Sequence, residues 1–270
     1  MSTQFSIREN VHRNFGGQAC KGDVAPYVIL TGDKQRVKQI IQCWDTSRLV
    51  ADHYEFLLFS GEYAGVPISA CSTGIGGTPV SIAIEELTLL GGHTFLRIGV
   101  TQPLASELNF GELVIAKGAV RWDGASLDYV RPEFPALAHF EVVMAAIAAA
   151  ERLHLPYKVG IIGDMASLGS LTMEGYRRFR TEHTREMRQA MIRAGVIDGT
   201  GESAVMFVQA SIYNLRAGTI HLNARNDHTH TWDTSKESNL IDAGLETIRI
   251  LARWDDLKTQ RGNKFITPEF

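Results

Sequence analysis

Two stretches of this chain share one grammar: a short β-branched run ends in a glycine-bearing turn and leads straight into an amphipathic segment. Tyr27 to Leu30 runs into Thr31-Gly32-Asp33 and then Gln35 to Trp44, where Val37, Ile40, Ile41 and Trp44 fall at i, i+3, i+4 and i+7. Val66 to Ser72 runs into Thr73-Gly74-Ile75-Gly76-Gly77, and Val80 to Leu90 then has helical spacing. Strand, turn and helix in repetition predict an α/β domain with a largely buried sheet. They also set backbone N–H groups at two helix N-termini, where an anion is favoured.

The rest of the chain continues the alternation. Tyr54 to Gly61, Phe95 to Val100, Glu112 to Ala119, Lys158 to Ile162 and Gly218 to Leu222 read as strands. Pro135 to His154, Met173 to Ala194, Glu202 to Asn214 and Ser238 to Leu257 read as helices, and the tail from Arg261 to Phe270 is polar enough to fray. No internal repeat or Pro- or Ser-rich linker divides the 270 residues, so one domain over 27–258, an N-terminal arm over 1–26 and a C-terminal tail over 259–270 are expected.

Charge and cysteine content narrow the partners. Lys and Arg number 27 against 30 Asp and Glu, a formal charge of -3 that offers no basic field for nucleic acid and no polybasic signal for a membrane. Cys20, Cys43 and Cys71 are odd in number and form no CxxC pair, which argues for reduced thiols over a disulfide framework or zinc site. The first residues lack an apolar signal core and no stretch reaches the length of a membrane span, so a cytoplasmic protein is expected.

Four features carry candidate chemistry. The two glycine turns match neither the P-loop nor the dinucleotide fingerprint, so tight turns with positive φ and an anion cradle both stay open. Arg97 interrupts the apolar strand Thr94 to Val100, where a charge has to be paired: a structural ion pair and a guanidinium fork for an anion both fit. Glu202, after Gly199-Thr200-Gly201 at the head of an apolar helix, is either a carboxylate favoured by the helix dipole or a functional acid. Asn226-Asp227-His228-Thr229-His230 lies just beyond a strand end, where open α/β sheets bind ligands. Its His-x-His spacing has no third ligand within a helical turn, and a metal site is rejected.

In order along the chain stand Gly32-Asp33-x-x-Arg36, Cys71-Ser72-Thr73-Gly74-Ile75-Gly76-Gly77 with Glu85-Glu86-Leu87, Phe95-Leu96-Arg97-Ile98-Gly99, Asp123-Gly124-Ala125-Ser126-Leu127 and Glu133-Phe134-Pro135. With these residues the chain resembles the uridine phosphorylases of the nucleoside phosphorylase-I family over about Val28 to Leu257. The resemblance implies a single α/β domain with a mixed, partly barrelled sheet flanked by helices, assembled as a homodimer or homohexamer. It implies a pentosyltransferase that cleaves an N-glycosidic bond with inorganic phosphate as co-substrate, without another cofactor. Gly32, Arg36, Arg97 and Thr73 are then the phosphate cradle. Glu202, beside Gly201, grips the ribose hydroxyls, and His12 reaches the sugar from a neighbouring subunit.

The same comparison marks departures. Tyr54 stands where the neighbouring subunit of a relative donates an Arg, Val100 where a phosphate-binding Thr is usual, and Gly201 where a Met packs on the sugar. On the base side, with Thr101, Gln102 and Leu168, the chain has Thr172 and Glu174 in place of a Gln and an Arg that hold uracil, and a carboxylate cannot donate to the uracil oxygens. Asp227 and His228 fall where purine-specific members carry the general acid for purine N7. The resemblance therefore implies a phosphorylase with base choice shifted away from uridine. The alternatives are a nucleoside hydrolase that uses water and a catalytically silent nucleoside-binding paralogue.

Overall fold

The computed structural model describes residues 13–104, 108–167, 182–226 and 231–267. Strand β1 (Tyr27–Thr31) lies between two parallel neighbours, β4 (Val66–Ser72) and β5 (Thr94–Pro103). Beyond β4 the sheet continues antiparallel through β3 (Phe56–Tyr63) to β2 (Thr46–His53). On its other side β5 pairs with β10 (Arg216–Asn223), and β10 leads through β6 (Leu113–Trp122), β8 (Tyr157–Met165) and β9 (Val196–Thr200) back to the end of β5. Five strands thus close on themselves while β1, β4, β3 and β2 extend as an open wing. This is the mixed, partly barrelled sheet that the motifs imply.

The closure explains why β5 reads as a nearly continuous apolar run. Phe95, Leu96 and Ile98 are fully buried because helices cover both faces. On one face Leu30 and Phe95 pack with Ile84 and Leu87 of the helix Gly77–Leu90 and Phe207 of the helix Ser203–Ile212. On the other, Ile29, Leu96, Ile98 and Ile220 pack with Val37 and Ile40 of Lys34–Ile41, Val142 of Phe140–Arg152 and Ile248 of Glu237–Arg261. At the end of the sheet away from the glycine turns, Arg216 donates to Asp255 at 2.8 Å and to Glu141 at 3.2 Å, which ties the last helix to β10. Burial works against the charge of Asp255, yet Arg216, Lys258 and the Tyr27 hydroxyl hold its carboxyl well below the usual range.

Several elements differ from what the pattern predicts. Thr46–His53 is a strand with four exposed residues at its start, too polar to show alternation. Tyr54, expected inside a strand, forms the hairpin tip between β2 and β3 with φ of 51° and is 72% exposed. The helix after the first glycine turn ends at Ile41, short of Trp44. Ala136–Leu137 forms a short strand, β7, before the helix Phe140–Arg152, and β9 is a strand that the sequence pattern does not reveal. Of the excursion Met173 to Ala194, Glu182–Arg193 is helical and residues 173–181 lie outside the described ones. The tail docks rather than frays as far as Ile266, which is buried and donates its N–H to Glu141 at 3.1 Å.

Candidate active site

The carboxyl ends of β1, β4, β5 and β10 meet around a cleft of about 660 Å³ lined by Gly32, Arg36, Arg97, Thr101, Glu202, His221 and Glu237, among others. This is the position at which parallel α/β strands place ligands, because the turns leaving them converge there. The cleft also holds Asp33, Ile75, Gly99, Val100, Gly199, Thr200, Trp232 and Thr234 in its wall.

The two glycine turns serve different physical ends. Gly74 and Gly76 have φ of 70° and 101°, which only glycine adopts without strain. Gly32 does not need a positive φ; it needs space. A Cβ there would stand 3.1 Å from the Gly74 carbonyl oxygen and 3.7 Å from Arg97 Nη2. Gly201 is likewise a close-approach position, since a Cβ would lie 3.1 Å from the Met165 carbonyl oxygen, which a larger residue would have to push back by a few tenths of an ångström.

Glu202 occupies the N-cap position of the helix Ser203–Ile212 without capping it. Its carboxylate turns instead to the start of the helix Gly77–Leu90, where the Gly76 N–H donates to Oε1 at 2.9 Å. Thr200 Oγ1 donates to Oε2 at 2.6 Å, the Gly201 N–H at 3.1 Å, and Arg97 Nη2 lies 3.0 Å away. Burial pushes this carboxyl up, but Arg97 and the three donors outweigh it and bring the pKa down to about 2. The anion at this glycine-rich helix start is therefore the protein's own carboxylate. Both readings of Arg97 meet here: it is ion-paired, and it is also in the cleft wall. Its Nε has no partner among the described residues, and Gly99 makes room for it, since a Cβ there would lie 2.5 Å from Nη1.

Arg36, in the first turn of Lys34–Ile41, donates from Nη1 to Thr31 Oγ1 at 2.8 Å and from Nε to Glu237. Glu237 is the first residue of the last helix, so the pair joins the two ends of the chain across the cleft. Behind Glu202, Asp164 is fully buried, with Oδ2 accepting from the Ala204 N–H and Oδ1 without a partner among the described residues. Burial raises its pKa well above the usual range, and the Glu202 charge adds to the effect.

The structure brings Gly32, Arg36, Arg97, Thr101 and Glu202 together in one cleft, with Gly201 in the turn that positions Glu202. Thr73 lies in the second glycine turn, where its buried hydroxyl has two acceptors within reach, the carbonyl oxygens of Thr31 at 3.4 Å and Gly74 at 3.2 Å. His12, Leu168, Thr172, Glu174, Asp227 and His228 lie outside the described residues, as does the side chain of Gln102. Among the described residues no group of three or more His, Cys, Asp or Glu is placed to share a metal ion, and no helix is long and apolar enough to cross a membrane.

His221 and Asp198 belong to the site although the sequence reading passes over them. His221 Nδ1 faces Asp198 Oδ2 at 2.8 Å, Nε2 faces Thr219 Oγ1 at 3.1 Å, and Thr101 Oγ1 donates to Asp198 Oδ1 at 2.7 Å. The signal was present: His221 interrupts an apolar strand in the way Arg97 does.

Comparison with known proteins accords with this geometry. The model of the phosphorylase superfamily matches residues 26–253. A uridine phosphorylase of Thermococcus kodakarensis is 41% identical over 256 residues, covering 93% of this chain and 91% of that protein. A uridine phosphorylase of Escherichia coli is 35% identical over 198 residues, covering 73% and 78%. A guanosine phosphorylase of Halorubrum lacusprofundi is 32% identical over 201 residues, covering 74% and 78%. The closed sheet and the arginine–carboxylate cleft define an α/β enzyme of the nucleoside phosphorylase type. The chain belongs to the phosphorylase superfamily.

Proposed function

We propose that the protein cleaves the N-glycosidic bond of a nucleoside with inorganic phosphate, giving free base and pentose 1-phosphate. The observation that carries this reading is the Arg97–Glu202 pair, 3.0 Å apart in the wall of a cleft that also holds Arg36 and the close-packed Gly32 turn. A phosphate oxygen attacks C1′ as the bond from C1′ to the base nitrogen breaks, and positive charge develops on the sugar ring. Glu202, ionised at any physiological pH, accepts hydrogen bonds from the sugar diol and stabilises that charge, while Arg36, Arg97 and the turn hold the phosphate on the same face. Thr73 contributes through the shape of its turn.

The residues at the base end support a base other than uracil. Thr172 and Glu174 stand in place of the Gln and Arg that hold uracil, a carboxylate has no donor for the uracil oxygens, and Asp227, with His228 beside it, is suited to protonate a leaving purine at N7. Gln102, Thr101 and Leu168 complete the base side of this reading. Uridine and guanosine, which appear in the relatives' names, share a ring lactam N–H, so a 6-oxopurine fits both the acid and that common feature. His12 and the exposed Tyr54 reach the cleft of a neighbouring subunit in a homodimer or homohexamer related by two-fold axes. The protein works in the cytoplasm without a cofactor beyond phosphate.

A second reading has its own observation. Arg36 and Arg97 are each already paired with a carboxylate, Tyr54 adds no charge and Val100 adds no hydroxyl, so the cleft suits water as nucleophile better than a phosphorylase with a third arginine would. Release of base from uridine, inosine, guanosine and adenosine, by wild type and Arg97→Ala, in phosphate and in phosphate-free buffer, separates the two. Phosphorolysis predicts that base release needs phosphate and that Arg97→Ala abolishes this dependence. Phosphate-independent release by both proteins favours the hydrolase. Efficient uridine phosphorolysis overturns the shifted base choice.

A further inference from the structure

Thr101, Asp198 and His221 are buried, with 4%, 0% and 1% of their surfaces exposed, and they come from three strands of the closed part of the sheet. Thr101 and His221 line the cleft, on β5 and β10, while Asp198 stands behind them on β9. Phosphate and sugar binding use none of the three.

The acceptors around Thr101 decide which way its hydroxyl points. Asp198 as a carboxylate only accepts, so His221 Nδ1 carries a proton directed at Oδ2. The Thr101 hydroxyl has one proton and two protein acceptors within reach, Asp198 Oδ1 at 2.7 Å and the Gly199 carbonyl oxygen at 2.8 Å. Whichever it takes, the proton points into the protein, and what remains for a ligand is a lone pair. His221 Nε2 faces Thr219 Oγ1 at 3.1 Å, and the single Thr219 proton has a second acceptor in the Arg97 carbonyl oxygen at 3.2 Å.

The geometry points to Thr101 as a specificity-determining acceptor: Asp198, held by His221, and the Gly199 carbonyl oxygen together fix its polarity, and the cleft thereby selects a base that presents a ring N–H donor to it. This rests on the nucleoside-cleaving reading and deepens it. A 6-oxopurine, with N1–H, satisfies the lone pair of Thr101; adenine, whose N1 is a bare acceptor, faces it with two lone pairs in opposition. An unsatisfied or repelled buried polar group is a stronger discriminator than a missing apolar contact. Asp198 and His221 act as positioning residues.

The test measures the ratio of kcat/KM for inosine over adenosine, and the ratio of their affinities by calorimetric titration without phosphate. Wild type is expected to favour inosine about tenfold or more, Thr101→Ser to keep that preference, and Thr101→Val to bring the two within about threefold. Asp198→Asn, whose amide donates to one of the two Thr101 lone pairs and competes there with the base, lowers the ratio while KM for phosphate stays put. A purely structural array would lower stability and leave the ratio intact. Equal handling of the two nucleosides by wild type, or a preference that survives Thr101→Val, overturns the inference. A titration preference without base release from any nucleoside sinks the phosphorylase reading and leaves this one standing, whereas base release at a flat ratio sinks this one alone.

Discussion

Arg36 and Glu237 form an ion pair in the wall of the cleft, joining the first helix of the domain to the last. On the proposed phosphate-binding role of Arg36 the carboxylate competes with an incoming phosphate for its donors, and both side chains are largely shielded from water, so the competition is weakly screened. Glu237→Gln keeps the shape and an acceptor oxygen while removing the charge. KM for phosphate should fall about five- to tenfold with KM for the nucleoside unchanged. Steady-state kinetics with phosphate varied at fixed nucleoside reads this directly, and a rise in KM for phosphate would mean that Glu237 serves only to position Arg36.

Glu202→Gln should lower kcat/KM about 10²–10³-fold, on the order of 3–4 kcal/mol, because the lost charge acts most strongly as the sugar becomes cationic. The same residue predicts a pH dependence of stability. Its carboxyl is depressed to about 2 in the folded protein against 4.5 when unfolded, so its stabilising contribution is complete above the unfolded value. It is lost as pH falls from about 4.5 toward 2. Thermal melts across that window should converge for wild type and Glu202→Gln at the acid end.

Asp164 runs in the opposite direction. Burial raises its folded pKa, so the folded state holds a proton more tightly than the unfolded chain does, and stability declines as pH rises above the unfolded value of 3.8. Asp164→Asn removes this penalty and keeps an oxygen for the Ala204 N–H. Its melting temperature should match wild type near pH 4 and exceed it at pH 8. Equal melting temperatures at both pH values would show that the buried acid costs nothing.

Gly99→Ala tests the clearance around Arg97. The added methyl would lie 2.5 Å from Nη1, so the guanidinium has to shift from its place beside Glu202, where Nη2 now lies 3.0 Å from the carboxylate. Phosphate-dependent turnover should drop about 10²-fold with the fold retained, since misplacement of a positioning group by about 1 Å is felt on that scale. Activity measured beside a circular dichroism melt decides whether function or folding was lost.

The parts of the fold legible in the sequence were those with local punctuation. The glycine turns announce themselves by their glycines, β5 by its continuous apolar run, and the last helix by burial that repeats at a helical period. The strand Thr46–His53 has no such period: it is an edge strand with a largely exposed first half. Strand β9 hid for a different reason, since Asp198 reads as a surface residue until His221 and Thr101, distant in sequence, supply its partners. Arg97 and Glu202 were legible one by one, as charges in apolar surroundings. That each is the other's partner follows only from the closure of the sheet, which returns β9 and the Glu202 turn to the end of β5, and that Glu237 answers Arg36 follows only from the packing of the last helix beside the cleft. The motif places Thr73 in its turn but says nothing about where its hydroxyl donates.

The central claim, that phosphate and not water attacks the sugar, is tested most directly by ³¹P NMR of the reaction mixture with inosine and inorganic phosphate. The account predicts a pentose 1-phosphate resonance that grows in step with free base, and no base release when phosphate is left out. Base released at the same rate in both mixtures, with free pentose and no new phosphorus signal, would contradict it.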